Sequence, residues 1–145
     1  MQKNIARKAT TAFAKEVREG LTSYPKYLSS KYFYDEKGDA LFQDIMAMPE
    51  YYLTDAEYDI LDTHQASISN YFSKNGADFD LFELGAGDGK KTKILLKHLL
   101  QSNYDFAYRP IDISQNALNQ LQDNLKSQLP SLKVNPLQGT YFDTL

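Results

Sequence analysis

The spacing of apolar residues changes character near residue 78. Before that point, apolar positions recur at helical intervals between turn residues; after it, short apolar runs alternate with helical stretches. In the front section, Ala12 to Gly20 reads as a short helix stopped by Gly20, and Ser23 to Tyr34 as irregular or extended chain around Pro25. Asp39 is the expected cap of a helix running to about Ala47, with Leu41, Phe42, Ile45 and Met46 on its apolar face and Pro49 beyond it. Thr54 and Glu57 form a capping-box pattern. The helix it opens should run to about Ser73, burying Tyr58, Leu61, Ile68, Tyr71 and Phe72, and close at Lys74-Asn75-Gly76.

The rear section predicts a strand at Phe79–Leu84, a glycine loop at Gly85–Gly89 and a helix from about Lys91 to Gln101. A second strand is expected at Ala107–Ile113, and a helix capped by Ser114 should run to about Gln128. Leu132–Leu137 is a third strand candidate, weakened by Pro136. This β-α-β-α-β order is half of a doubly wound α/β sheet with right-handed crossovers. The expected organisation is therefore a helical section, 1–77, followed by the first half of a nucleotide-binding sheet, 78–145.

Composition narrows the function. Sixteen basic and nineteen acidic residues give a net charge of −3, which argues against a nucleic-acid partner. Cysteine is absent, so disulfides, thiol nucleophiles and thiolate metal sites are excluded, and the two histidines stand at no metal-ligand spacing. With no run approaching a membrane span and no signal-like start, the expectation is a cytoplasmic protein. Eleven tyrosines and eight phenylalanines suit core packing and pocket walls alike.

The chemistry concentrates in Glu83-Leu84-Gly85-Ala86-Gly87-Asp88-Gly89-Lys90-Lys91-Thr92. Glycine at every second position between a strand and a helix lets a ligand approach the main chain, and the helix start favours polar or anionic groups. A P-loop needs one more residue between its glycines, and Lys90 occupies the third glycine position of the dinucleotide fingerprint, which disfavours a nicotinamide-dependent oxidoreductase. Asp112, at the end of the second strand, stands where such folds accept hydrogen bonds from ribose hydroxyls. An unoccupied tight turn for the glycines, a capping role for Asp112 and a solvated surface role for Lys91 are the alternatives.

The pattern E-x-G-x-G-x-G resembles motif I of the class I methyltransferases. The wider sequence resembles the histidine-specific methyltransferases that make Nα-trimethylhistidine on the way to ergothioneine. Its ordered blocks are Lys31-Tyr32-Phe33-Tyr34-Asp35-Glu36-Lys37-Gly38, Leu41-Phe42, Pro49-Glu50-Tyr51-Tyr52-Leu53-Thr54, and Glu83–Gly87 with Lys91-Thr92, Pro110–Ser114 and Gly139.

The resemblance implies a partial class I methyltransferase (Rossmann-like) parallel sheet preceded by an aromatic-rich helical section. It implies S-adenosylmethionine as cofactor, held by Glu83, Gly85, Gly87, Gly89, Lys91 and Asp112 with Thr140 and Tyr141, and a substrate pocket lined by Tyr51 or Tyr52. The reaction it implies is methylation of the α-amino group of histidine or a similar amino acid. Where the family tends to have G-D-F, this chain has Gly139-Thr140-Tyr141-Phe142, which removes an acceptor for the adenine amino group. Family members continue well past the position of Leu145. The 145 residues are thus expected to be an N-terminal portion without turnover of its own, with an open sheet edge prone to self-association. No general base is evident.

Overall fold

The computed structural model describes residues 11–72 and 78–145, so the expected closure at Lys74-Asn75-Gly76 lies outside the described residues. The chain separates into two compact units, divided between Phe33 and Tyr34.

In the first unit, helix α1 (Ala12–Thr22) is capped by Thr11, whose side chain accepts from the Ala14 N–H at 3.2 Å. The helix does not stop at Gly20. That glycine serves a close approach instead: a Cβ there would stand 2.1 Å from the Tyr27 carbonyl oxygen. A short 3-10 turn at Ser30–Phe33 follows. Lys31 Nζ (2.8 Å) and the Tyr32 hydroxyl (2.9 Å) both donate to the Glu16 carboxylate, while Tyr32 meets Phe13 edge-on.

The second unit opens with α2 (Glu36–Met46). Asp35, not Asp39, caps it, accepting from the Gly38 N–H at 2.8 Å. Asp39 lies inside the helix and serves another purpose, described below. The apolar face forms as expected, yet Leu41, Phe42 and Ile45 are exposed. Helix α3 (Leu53–Phe72) starts one residue before Thr54. The capping box therefore does not form: Thr54 Oγ1 has no partner, and Glu57 turns to a lysine ammonium, a stronger donor than a backbone N–H. The inward stripe of α3 runs Leu61, Gln65, Ser69 with Ile68 beside it, and packs on α4 (Thr92–Gln101). Tyr71 stands two residues past Ser69, on the opposite side of the helix, and is 72% exposed rather than buried.

The sheet is entirely parallel. Strand β1 (Phe79–Leu84) pairs with β2 (Phe106–Asp112) in a register from Phe79–Phe106 to Leu84–Ile111. The expected third strand is two short ones, β3 (Lys133–Val134) and β4 (Leu137–Gln138), both paired with β2. Pro136 has no N–H for the ladder, so the pairing breaks there. Helix α5 (Gln115–Gln128) links β2 to β3, and a single turn, α6 (Tyr141–Thr144), ends the chain.

Leu95, Leu96 and Leu99 of α4 and Leu118, Leu121 and Leu125 of α5 close over Leu81, Phe106 and Tyr108 of the sheet. Each buried leucine contributes about 2 kcal/mol, so this one cluster carries much of the unit's stability. On the edge strand β1, Phe82 and Leu84 are exposed. Among the described residues, no helix is long and apolar enough to cross a membrane.

Candidate cofactor site at the glycine loop

The loop Gly85–Gly89 joins β1 to α4 and is fastened to the end of β2. The N–H groups of Gly85 and Ala86 both donate to the Ile111 carbonyl, at 2.8 and 3.2 Å. Gly87 N–H donates to Asp112 Oδ2, and Ser114 N–H to Asp112 Oδ1, each at 2.9 Å. A positive φ is required at Gly85 (69°), Gly87 (53°) and Gly89 (62°), which is why side chains are absent there. The neighbours of these glycines differ. A Cβ on Gly89 would strike Leu121 Cδ1 at 2.1 Å, whereas one on Gly87 would meet nothing within 4 Å. The Cβ side of Gly89 thus packs on Leu121, and that of Gly87 faces open space.

The turn and loop bonds of Asp112 are made, as the capping reading requires. A carboxylate offers about four acceptor positions, so capacity for ribose hydroxyls is left over.

Glu83 points from β1 under the loop. Its two oxygens accept from the Thr92 and Tyr108 hydroxyls. Burial pushes its carboxyl above the usual carboxylate range, and the hydroxyl bonds and Lys91 only partly oppose that. Burial and the adjacent Glu83 push the Tyr108 phenol far up, so it stays a donor. Lys91 forms an ion pair with Glu57 of α3. Glu57, Glu83, Lys91 and Thr92 line a cavity of about 350 Å³ whose other walls are apolar, among them Ile60, Leu61 and Leu81. Lys90 binds the loop residue Asp88 at 2.8 Å and Gln43 of α2 at 3.2 Å. Burial alone would raise Asp88, but the Lys90 ammonium and N–H outweigh it and hold the carboxyl below its ordinary value.

The chain end folds back onto the same strand ends. Gly139 N–H donates to the Asp112 carbonyl at 3.0 Å, and the Tyr141 hydroxyl sits 2.9 Å from where a Gly85 Cβ would stand. Thr140 gives its hydroxyl to Asp143 at 2.5 Å. The expected set Glu83, Gly85, Gly87, Lys91, Asp112 and Tyr141 therefore gathers around one loop. Tyr51 stacks edge-on against Phe42, with ring centroids 6.3 Å apart, and Tyr52 is exposed; neither pairing reaches the loop.

Sequence reasoning missed three partners. Glu57 fits a capping box in sequence, and its partner Lys91 lies 34 positions away. Tyr108 carried no signal beyond strand alternation. Asp39 accepts from Ser114 Oγ at 2.5 Å and from Asn116 Nδ2 at 3.2 Å, tying α2 to the head of α5.

The residues present suit a nucleoside-bearing cofactor: an open-faced glycine at Gly87, spare acceptor capacity at Asp112, and a cavity pairing charged groups with apolar walls. Fold and loop together define a Rossmann-like α/β domain of the methyltransferase type. A DszA carbon methyltransferase shares that fold, with a TM-score of 0.51 at 17% identity over 75% of this chain and 29% of the other. The chain belongs to the histidine-specific, S-adenosylmethionine-dependent methyltransferase family, which it matches over residues 13–145.

Relatives with assigned activities agree. Histidine N-alpha-methyltransferase of Mycolicibacterium smegmatis is 34% identical over 94% of this chain and 41% of its own length. N-methyltransferase fsqC of Aspergillus fumigatus is 33% identical over 99% of this chain and 40% of its own length. Ergothioneine biosynthesis protein 1 of Schizosaccharomyces pombe is 33% identical over 79% of this chain and 15% of its own length. The chain thus spans about two fifths of the first two relatives and less of the third.

Proposed function

We propose that this chain is the cofactor-binding front part of an S-adenosylmethionine-dependent N-methyltransferase acting on the α-amino group of histidine or a similar amino acid. One observation carries the reading: the loop is fixed to Asp112 through Gly87 while Gly87 itself faces open space. When bound, the cofactor supplies an electrophilic methyl group on a sulfonium. The residues of this chain hold and orient. Glu83, Gly85, Gly87, Gly89 and Lys91 form the surface for the amino-acid end, Asp112 accepts from the ribose, and Thr140 and Tyr141 border the base. Tyr51, with Tyr52 beside it, lines one wall of the substrate pocket. Alignment is the main requirement of an in-line displacement.

The similar identity to a histidine methyltransferase and to a fungal N-methyltransferase supports a second acceptor class, another small amine. The exposed edge of β1 supports self-association of the chain in isolation.

Titration calorimetry with S-adenosylhomocysteine tests the cofactor site: saturable binding that weakens sharply in Asp112→Ala is expected, and no binding by the folded chain would overturn it. Methyl incorporation into histidine and other amines, by this chain and by a protein extended past Leu145, tests the acceptor. Turnover only in the extended protein would establish the chain as a binding portion.

A further inference from the structure

Glu57 belongs to neither the glycine loop nor the strand ends, yet it reaches the same cavity from α3. Its carboxylate binds Lys91 Nζ, and the two side chains are 53% and 32% exposed. The pair stands at the wall of a cavity otherwise lined by Ile60, Leu61, Leu81, Phe82 and Leu95, with Glu83 and Thr92 beside it. One cation and one anion side by side, at the rim of an apolar pocket adjoining the glycine loop, are complementary to a zwitterion.

We propose that Glu57 is a cofactor-binding residue: it takes the ammonium of the cofactor's amino-acid end while Lys91 takes the carboxylate. The proposal rests on the cofactor reading above and adds a residue from outside the Rossmann-like section. A zwitterion entering between the partners exchanges one ion pair for two and leaves no charge unmatched, which keeps the desolvation cost low.

Glu83 is the other carboxylate within reach, and its chemistry suits the task less well. Both of its oxygens already accept from hydroxyls, Thr92 and Tyr108. Its burial also disfavours the charged form that an ammonium needs. Glu57 accepts from Lys91 alone among the described bonds and is more open to solvent, so its carboxylate can shift partner. Because Glu57 lies in the first turns of α3, a helix that begins directly after Tyr52, cofactor binding would also bear on the tyrosine turn.

The test is titration of the chain with S-adenosylhomocysteine and with two analogues, one lacking the α-amino group and one lacking the α-carboxylate. Glu57→Gln should weaken S-adenosylhomocysteine about tenfold, as for loss of a hydrogen bond to a charged group, and should not weaken the amine-free analogue, which gains a freed Lys91. Lys91→Met should weaken S-adenosylhomocysteine and leave the carboxylate-free analogue unchanged. If Glu57→Gln weakens both ligands equally, or neither, Glu57 does not read the ammonium and the proposal falls while the cofactor site stands. If the unaltered chain binds no S-adenosylhomocysteine, the cofactor reading falls and takes the proposal with it. Should Glu57→Gln fail to fold, Glu57→Asp carries the same comparison, since the shortened carboxylate should lose affinity only for ligands bearing the amine.

Discussion

Gly87 N–H lies 2.9 Å from Asp112 Oδ2, a bond across 25 residues that fastens the glycine loop to the neighbouring strand end. The other oxygen of the same carboxylate holds Ser114 N–H at 2.9 Å, where α5 begins. A single side chain thus shapes both the glycine loop and the turn beside it.

Asp112→Ala should therefore cost stability as well as affinity. Two backbone donors lose a charged acceptor, worth about 1–3 kcal/mol together in a partly buried setting. Asp112→Asn keeps one carbonyl acceptor and should fall between. Urea unfolding beside calorimetry separates the two effects; a stability loss with unchanged affinity would leave Asp112 as a turn residue only.

Gly87→Ala and Gly89→Ala should diverge although both glycines have positive φ. Left-handed backbone costs a non-glycine residue about 1–2 kcal/mol at either position. Gly89→Ala adds a collision with Leu121, about 1–3 kcal/mol more, and should be the less stable chain. Gly87→Ala, with its methyl in open space, should melt nearer to the unaltered chain but bind S-adenosylhomocysteine much more weakly. Thermal unfolding and titration of both variants check the contrast.

Glu83 predicts a pH effect. Burial sets its folded pKa above the ordinary 4.5, so the folded chain holds that proton more tightly than the unfolded chain. The carboxylate's cost to folding is present at pH 7 and disappears as pH falls through the folded pKa toward 4.5. Relative to Glu83→Gln, the unaltered chain should gain stability steadily over that range. A flat difference between the two would show that Glu83 titrates as an exposed acid.

Ser114 and Asp39 should behave as one unit. Ser114 Oγ caps α5 by accepting from Ala117 N–H at 3.1 Å, and donates to Asp39 at 2.5 Å. Ser114→Ala should cost about 1–2 kcal/mol through the lost cap. Asp39→Ala should cost about 1 kcal/mol, and the double variant less than the sum, because the two substitutions remove a shared bond. Strict additivity in urea unfolding would mean that the bond contributes nothing.

The bounds of β1 and α5 were legible because local signals agreed: a compact apolar run before glycine, and a serine cap followed by leucines at helical spacing. The elements that departed from expectation turned on competition between partners. Two aspartates, Asp35 and Asp39, both suit a cap, and only the fold shows which one is drawn off to Ser114. Thr54 and Glu57 spell a capping box, but Lys91, brought near by packing of α3 on α4, claims the glutamate. At the candidate site, glycine spacing and strand-end position marked Gly85, Gly87 and Asp112, which the fold brings side by side. The roles of Glu57 and Tyr108 depend on contacts across 34 and 25 residues that no local pattern encodes.

Because Ile111 and Asp112 hold the N–H groups of Gly85, Ala86 and Gly87, the protein's own bonds fix the shape of the loop. Capture then needs no ordering of that backbone, and encounter rather than rearrangement should govern how fast a ligand enters. Substitutions around the loop should accordingly be felt in residence time: a weakened site releases its occupant sooner, while the rate of arrival changes little.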